Sequence, residues 1–390
     1  NHLPDGYYTI FYDGYADNGY SRNAWDSKGS LVQADVVNSS ENLGYDGYYS
    51  GIRACHQVLE QVDKFTDIPE SLRLKYKAEA RVMRAWLYGY LTLFFNNVPF
   101  VTNISNDYPE GLVPTPAAEI RTWILKELDE AIAVLPRTND KGYFNKAMAY
   151  AIKARFAYYF GKYDQAEAAA RYVIDNGGYR LHQVAALTPD MVKDAEYFKK
   201  FVDFSAYGLD ENSFVRGIFN YQNIWKSDNS PETIIAKEYI ANEREGNWRR
   251  VTCLLTPNLV NKHAWATIVP IQELVDAYWT ADGKTLPTLA SMDQRISQYK
   301  ALDTEVKAIQ TANRVTHSRA VENIVNTLPS KPYMTQFKNR DSRLYASIIF
   351  PFSSVSKYRM GEYQEYRSNV VNYGKSGYAF RKMSGADDVV

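Results

Sequence analysis

Two segments of the chain combine tryptophan and tyrosine with side chains that form hydrogen bonds. They are Tyr20–Ser27 and Phe219–Asp228. A flat aromatic ring packs against the apolar C–H face of a sugar, while nearby amide, carboxylate and ammonium groups bond its hydroxyls. These residue types therefore suit a carbohydrate-like ligand. Both segments are predicted to be loops. The alternative for each is that its tryptophan packs against the helical layer instead.

The residues that could make or break bonds do not form a supporting pattern. The five histidines are not spaced as metal ligands with one another or with a cysteine. Ser354-Val355-Ser356-Lys357 fits a Ser-x-x-Lys nucleophile pattern, but the Ser-Asp-Asn and Lys-Thr-Gly elements that accompany it in enzymes do not follow. No motif marks the carboxylate pair that glycoside hydrolysis requires. We predict a binding protein without a catalytic site, a metal or a cofactor.

Composition narrows the classes of partner. The 390 residues contain 45 Lys+Arg and 45 Asp+Glu, so no bulk charge favours nucleic acid or an anionic membrane. The 32 tyrosines and 7 tryptophans are too many to bury, which predicts aromatic rings on the surface.

Cys55 and Cys253 are too few for a disulfide framework and are expected to be buried. No stretch is long and apolar enough for a membrane span, and Asn1-His2-Leu3-Pro4 is unlike a signal peptide.

Residues 45–178 carry the spacing of amphipathic helices. Apolar residues recur every three to four positions from Tyr45 to Val62 and from Glu70 to Phe95. A third helix is predicted from Thr115, as N-cap, and Pro116, at its first position, to Leu135. A fourth spans about 145–160, and a fifth follows Gly161 and ends at Asn176-Gly177-Gly178. Small residues at this turn are typical of tetratricopeptide (TPR) hairpins, and aromatics inside the helices, such as Trp86 and Trp123, are predicted to be core.

The remaining chain has weaker periodicity. Residues 1–44 are predicted to be a loop-rich N-terminal segment, and residues 179–390 to be mostly loops with short helices near 270–279 and 291–312. We therefore predict a mostly α fold in which TPR-like helical repeats at 45–178 pack against a loop-rich, irregular ligand-binding region. Long irregular stretches in a folded chain tend to be functional.

Seven segments in order resemble the SusD/RagB family, the surface nutrient-binding lipoproteins of Bacteroidetes. They are Ala78–Trp86 with Asn97–Val101, Thr115–Ile120 with Leu128–Ala131 and Leu135-Pro136, Gly161–Ala170, Ser230–Ile235 (strand-like in the family), Pro270–Tyr278 with Ala281–Gly283, Asn339–Tyr345, and Ser376–Lys382. The family's lipoprotein signal and acylated cysteine, and its C-terminal helix pair, are not found in this sequence, and helical arrays need terminal caps.

The resemblance implies a role and a location. A member of this family binds an oligomeric nutrient at the extracellular face of the outer membrane, held by an N-terminal lipid anchor, and delivers it to a SusC-like TonB-dependent transporter. Its ligand site is drawn from the N-terminal segment and from loops beyond the third repeat. Carried over to this chain, the residues are Tyr20, Asn23, Trp25, Asp26, Tyr221, Asn223, Trp225 and Lys226, with the two tryptophans as ring platforms and the polar side chains as hydrogen-bonding partners.

Three alternatives remain open at this point. The cargo implied by the resemblance is an oligosaccharide, but a peptide would suit the same role. A helical glycan-cleaving enzyme would show turnover and depend on a carboxylate. A TPR scaffold for protein partners would concentrate its contacts in 45–178 and make little use of the aromatic segments outside the repeats.

Overall fold

The computed structural model describes residues 16–21, 44–104, 112–224, 230–236, 266–354 and 376–381. The chain divides into two compact units. The first unit comprises Asn1–Asp5, Asn38–Leu181 and Pro231–Ile240, and the second comprises Gly6–Val37, His182–Ser230 and Ala241–Val390. The fold is mostly helical, which confirms the predicted class.

The described part of the first unit contains a run of helices that pack in chain order. They are α1 (Tyr45–Gln61), α2 (Glu70–Phe94), α3 (Ala117–Val134), α4 (Lys146–Tyr159) and α5 (Tyr163–Asn176). Each packs against the next along the chain, as in helical hairpins. Their bounds agree to within about two residues with those expected from apolar spacing, which is the usual uncertainty of helix ends.

The start of α3 differs from the prediction by one residue. Pro116 occupies the N-cap position, and the helix begins at Ala117. Thr115 instead pairs with Val98, and its backbone N–H donates to the Val98 carbonyl oxygen at 2.9 Å. The Asn97 side chain accepts from the Ala117 N–H at 2.9 Å, so the preceding loop satisfies a free donor of the first turn.

Close packing in the first unit depends on one glycine. A Cβ atom on Gly89 of α2 would lie 2.3 Å from the Phe156 ring of α4. Phe156 is fully buried in the unit's apolar core, together with Tyr88, Leu91 and Ile120. Since real Cβ contacts never come this close, any larger residue at position 89 must move the ring or the helix.

A buried ion pair joins α2 to α3. Arg84 donates to Glu127 Oε1 through Nε at 3.1 Å and also through Nη2, while Arg81 Nη1 donates to Oε2 at 2.7 Å. Arg84 Nη1 lies 3.2 Å from His56 Nδ1, and His56 Nε2 lies 3.2 Å from the Val101 carbonyl oxygen. Burial and the Arg84 charge lower the pKa of His56. The imidazole is therefore neutral at pH 7, with Nδ1 accepting and Nε2–H donating.

Three further expectations for the helical region are confirmed. Cys55 is buried in the core as a free thiol. Trp86 and Trp123 are half-buried and pack against the same core, and the Trp123 ring lies 5.0 Å from the guanidinium carbon of Arg84. Cys253 lies outside the described residues.

The second unit has more regular structure than expected. Its described residues form α6 (Pro189–Lys199), α7 (Phe204–Tyr207), α8 (Glu211–Asn223), α9 (Gln272–Asp276), α10 (Met292–Asn313), α11 (His317–Asn323) and α12 (Ser342–Ser347). Helices α9 and α10 match the predicted ones. The expectation of mostly loops was wrong for residues 189–223, which fold into α6, α7 and α8. Ser230–Ile235 forms turns and irregular backbone, not the strand-like segment of the resemblance.

Short strands and an aromatic core complete the described part of this unit. β1 (Gly19–Ser21) pairs antiparallel with β2 (Ile268–Pro270), and β3 (Ile348–Ile349) pairs antiparallel with β4 (Ala379–Phe380). The core contains rings that are almost wholly excluded from water: Phe201, Phe337, Tyr345, Phe350 and Phe352. Within the described ranges, the helices lack the combination of length and apolarity required to span a bilayer.

Candidate functional site

The ligand-binding residues proposed from sequence fall into two groups. Asn23, Trp25, Asp26, Trp225 and Lys226 lie outside the described residues. Tyr20, Tyr221 and Asn223 are described, and all three belong to the second unit.

Tyr20 lies on a strand rather than in a loop. Its Cα pairs with that of Val269 in the β1–β2 ladder, and its side chain is half-buried. Asn18 O also accepts from the Ile271 N–H at 3.4 Å, which extends the pairing beyond the strands. The backbone at Tyr20 is therefore held by hydrogen bonds, and its ring projects from a fixed position.

Tyr221 and Asn223 lie in the last turn of α8, so the prediction of a loop over 219–223 was wrong. The helix begins after Asp210, whose carboxylate accepts from the Ser213 N–H at 2.7 Å as an N-cap. Residues two apart on a helix point to different sides. Tyr221 and Asn223 therefore lie on different faces of α8. A ligand that packs on the Tyr221 ring would not reach the Asn223 side chain for a hydrogen bond.

Tyr221 has aromatic and charged neighbours that the sequence analysis did not assign to the site. Its ring packs against the aromatic core, and its phenol lies close enough to Tyr278 and Arg343 to influence both groups. Burial raises the pKa of Tyr278, while the adjacent Ser347 hydroxyl and the Arg343 charge oppose the shift. We refer to Tyr221, Tyr278, Asp341 and Arg343 as the Tyr–Arg cluster.

The charged pair of the Tyr–Arg cluster has a defined geometry. Arg343 donates from Nε to Asp341 Oδ1 at 2.9 Å and from Nη2 to Oδ2 at 3.0 Å. The hydrogen bonds to Asp341 raise the pKa of Arg343. Arg343 is 55% exposed, and its Nη1 forms no hydrogen bond within the part of the chain that the structure describes. A bidentate pair is rigid, so Arg343 presents fixed donors toward water.

A buried arginine holds the two segments of the cluster together. Arg340 has no solvent exposure and donates to the carbonyl oxygens of Gln336, Val275 and Tyr278 at 2.7, 2.6 and 2.7 Å. Nearby, the Asp341 N–H donates to the Trp279 carbonyl oxygen at 2.9 Å. These bonds fix the backbone of the Tyr278–Trp279 segment beside that of the Asp341–Arg343 segment.

This arrangement suits binding of a polar ligand that has flat apolar faces. Trp279 is 45% exposed and follows Tyr278 directly, and Arg343 supplies unused N–H donors. Such a combination of rings and donors is what recognition of a sugar requires. Tyr278-Trp279 and Arg343 lie in or beside two of the segments that carry the family resemblance. The signal that could have marked them is a pair of adjacent aromatics before the Thr280-Ala281-Asp282-Gly283 turn.

Groups suited to catalysis do not converge in the described residues. No group of three or more histidine, cysteine or carboxylate side chains with metal-binding spacing occurs within them. Of the Ser-x-x-Lys pattern, Ser354 is described, while Val355, Ser356 and Lys357 lie outside the described ranges. His56 is used in the ion-pair network of the first unit.

Two family models match this chain, one in its N-terminal part and one in its C-terminal part. Residues 7–158 match a SusD-like family model described as starch-binding and associating with the outer membrane. Residues 231–388 match the SusD family model. The chain belongs to the SusD/RagB family.

Individual SusD relatives agree with this assignment. A SusD-like protein of Bacteroides ovatus is 25% identical over 233 residues, which are 58% of this chain and 38% of the relative. The starch-binding protein SusD of Bacteroides thetaiotaomicron is 35% identical over 132 residues, 32% of this chain and 22% of that protein. The chain therefore matches well under half the length of these curated relatives.

Solved structures of SusD-like proteins share the fold. A SusD-like protein of Bacteroides fragilis aligns with a TM-score of 0.70 and 19% identity over 98% of this chain and 65% of the other. A SusD-like carbohydrate-binding protein of the same species aligns with a TM-score of 0.57 and 16% identity over 95% and 60% of the two chains. At these identities the likeness establishes the fold.

Proposed function

We propose that this chain binds an oligosaccharide nutrient at the cell surface without cleaving it and delivers it to a SusC-like TonB-dependent transporter. In this proposal the protein lies at the extracellular face of the outer membrane and is held there by an N-terminal lipid anchor. The observation that carries the proposal is the match of both parts of the chain to SusD models, one of which describes starch binding and outer-membrane association.

The geometry of the second unit supports carbohydrate as the cargo. The Tyr–Arg cluster combines phenol rings with an exposed guanidinium whose orientation is fixed by Asp341. A ligand whose hydroxyls accept from Arg343 and whose C–H faces pack on rings would use both features. We include Tyr278 and Arg343 with the ligand-binding residues Tyr20, Asn23, Trp25, Asp26, Tyr221, Trp225 and Lys226, and keep Asn223 as a contact from the other side of α8.

The first experiment is calorimetric titration of the chain with a panel of oligosaccharides and oligopeptides. The panel is repeated with Trp25→Ala and Trp225→Ala, and with Trp86→Ala as a control for loss of a ring that packs on the core. We expect saccharide binding that weakens in the first two variants and is retained in any folded Trp86→Ala protein. Peptide binding in place of saccharide binding would reassign the cargo.

Two other results would contradict the proposed function. Turnover of a bound saccharide that depends on one carboxylate would identify a glycan-cleaving enzyme. Failure to bind any member of either panel would contradict capture of a soluble nutrient. Transporter delivery is tested separately, by co-purification of the anchored protein with its transporter and by growth on the bound glycan after deletion of the gene.

A further inference from the structure

Three tyrosines form an exposed patch on the first unit, around the turn between α4 and α5. Tyr158, Tyr159 and Tyr163 are 62%, 54% and 64% exposed. The ring centroid of Tyr158 lies 6.2 Å from that of Tyr159 and 5.6 Å from that of Tyr163. Exposed aromatic rings that contact one another, not the core, are unusual on a soluble surface and indicate contact with a ligand or partner.

The turn that carries these rings is rigid. Gly161 has a φ of 72°, the left-handed conformation that glycine adopts without strain. Its N–H donates to the Tyr158 carbonyl oxygen at 3.0 Å, and the Lys162 N–H donates to the Ala157 carbonyl oxygen at 2.8 Å. These two bonds are those of a Schellman motif. The rings therefore project from a fixed backbone, which lowers the entropy cost of binding.

The area of the patch distinguishes between classes of occupant. A tyrosine side chain buries about 150–250 Å², so rings with the exposures given above offer roughly 270–450 Å² together. A stable protein interface needs about 800 Å² from each partner. The patch is too small for that and large enough for a few sugar units, whose C–H faces would pack on the rings.

Polar groups beside the patch complement a glycan. Arg155 precedes Tyr158 and Tyr159 by three and four residues, so it lies next to both on the surface of α4. Lys162 lies in the turn itself, and both cations are exposed. Neither forms an ion pair with a described residue, which leaves their N–H groups available to sugar hydroxyls.

We propose that Tyr158, Tyr159 and Tyr163 form a second glycan-contact surface, separate from the Tyr–Arg cluster and formed entirely by the first unit. This inference rests on the proposed function, because it assumes that the protein binds glycan. The surface takes a glycan chain through ring stacking, with Arg155 and Lys162 as donors to hydroxyl oxygens.

The test uses retention of the chain in native gels that contain amylopectin, xyloglucan, arabinoxylan or galactomannan. The double variant Tyr158→Ala/Tyr163→Ala is compared with Tyr143→Ala, an exposed tyrosine elsewhere on the unit. We expect the apparent dissociation constant for a retaining polysaccharide to rise about 2- to 10-fold in the double variant and to stay unchanged in the control. Tyr158→Phe/Tyr163→Phe keeps both rings and should keep most of the affinity.

The outcomes separate this surface from the main proposal. Retention of the double variant equal to that of the unsubstituted chain overturns the second surface and leaves the proposed function in place. Absence of retention by every polysaccharide for the unsubstituted chain, together with failure to bind any oligosaccharide in the calorimetric panel, overturns both. Thermal unfolding of each variant checks that the loss does not come from misfolding.

Discussion

Arg84 in the first unit is buried against Glu127, whereas Arg340 in the second unit is buried among the backbone carbonyl oxygens of Val275, Tyr278 and Gln336. Arg84 joins α2 to α3 by a side chain on each, so its partner carries a formal charge. Arg340 joins short segments through backbone groups, so its partners are present whatever the side chains are. Burial lowers the pKa of Arg340, although a guanidinium keeps its proton at neutral pH.

The difference reflects what each unit has to hold in place. Long helices pair most of their backbone groups internally, and the first unit can use apolar packing with one ion pair to fix them. Short helices such as α9 leave free carbonyl oxygens at their ends. In the second unit a buried donor must satisfy these oxygens, and Arg340 does so for the segment that supports the Tyr–Arg cluster.

The largest effect is expected from Arg340→Met. This change leaves interior carbonyl oxygens without donors, and we expect a loss of about 3–5 kcal/mol in the free energy of unfolding. Urea denaturation followed by tryptophan fluorescence measures it. Arg343→Met is the control at an exposed site three residues away, where the loss should be about 1 kcal/mol or less. Equal losses in the two variants would show that Arg340 has no special role.

Gly89→Ala tests packing in the first unit. The new methyl group would overlap the Phe156 ring, and we expect a loss of about 1–3 kcal/mol in unfolding free energy. Adding Phe156→Leu should recover part of this loss, because the smaller side chain makes room for the methyl group. A double-mutant cycle measures the coupling. Strict additivity would mean that the two helices shift apart without steric conflict.

The pH dependence of stability tests the network around His56. Since the folded state lowers the pKa of His56 below its usual value of about 6.5, the unfolded chain takes up a proton more readily than the folded one. The contribution of the neutral imidazole is therefore complete above about pH 6.5 and declines as the pH falls below it. The slope from this residue is at most about 1.4 kcal/mol per pH unit.

Urea denaturation between pH 5 and 8 measures this slope. In His56→Gln the neutral amide keeps hydrogen-bonding capacity without titrating, so the curve should be flatter below pH 6.5 than in the unsubstituted chain. Parallel curves for the unsubstituted chain and His56→Gln would contradict a lowered pKa of His56 in the folded state.

The sequence predicted the first unit better than the second for a physical reason. Helices α1 to α5 bury one stripe each, so apolar residues recur every three to four positions and mark their bounds. In α8 the same spacing is present at Phe214, Val215, Ile218 and Phe219. The Asn- and Gln-rich sequence at the end of α8 hides this spacing. Asp210, the N-cap of α8, is the signal that marks where the helix starts.

The candidate site was less predictable than the fold. Tyr221 was identified as an aromatic near polar residues, but its neighbours Tyr278 and Arg343 lie far away in sequence and come together through α8, α9 and α12. Such long-range proximity leaves no local pattern. The placement of Trp25 and Trp225 and the domain bounds drawn from sequence stay predictions.

The smallest effect is expected from Arg343→Ala, measured as ligand affinity rather than stability. Arg343 has N–H donors beyond the two that bond Asp341, and these are free to bond a ligand. Removing the guanidinium takes them away, so affinity for the saccharide identified by calorimetry should fall about 2- to 10-fold. Arg343→Lys keeps the charge but loses the bidentate contact with Asp341, so its ammonium is less well oriented and an intermediate loss is expected. If both variants bind as tightly as the unsubstituted chain, Arg343 stabilises α12 alone, and the ligand contacts of the second unit must come from the aromatic residues.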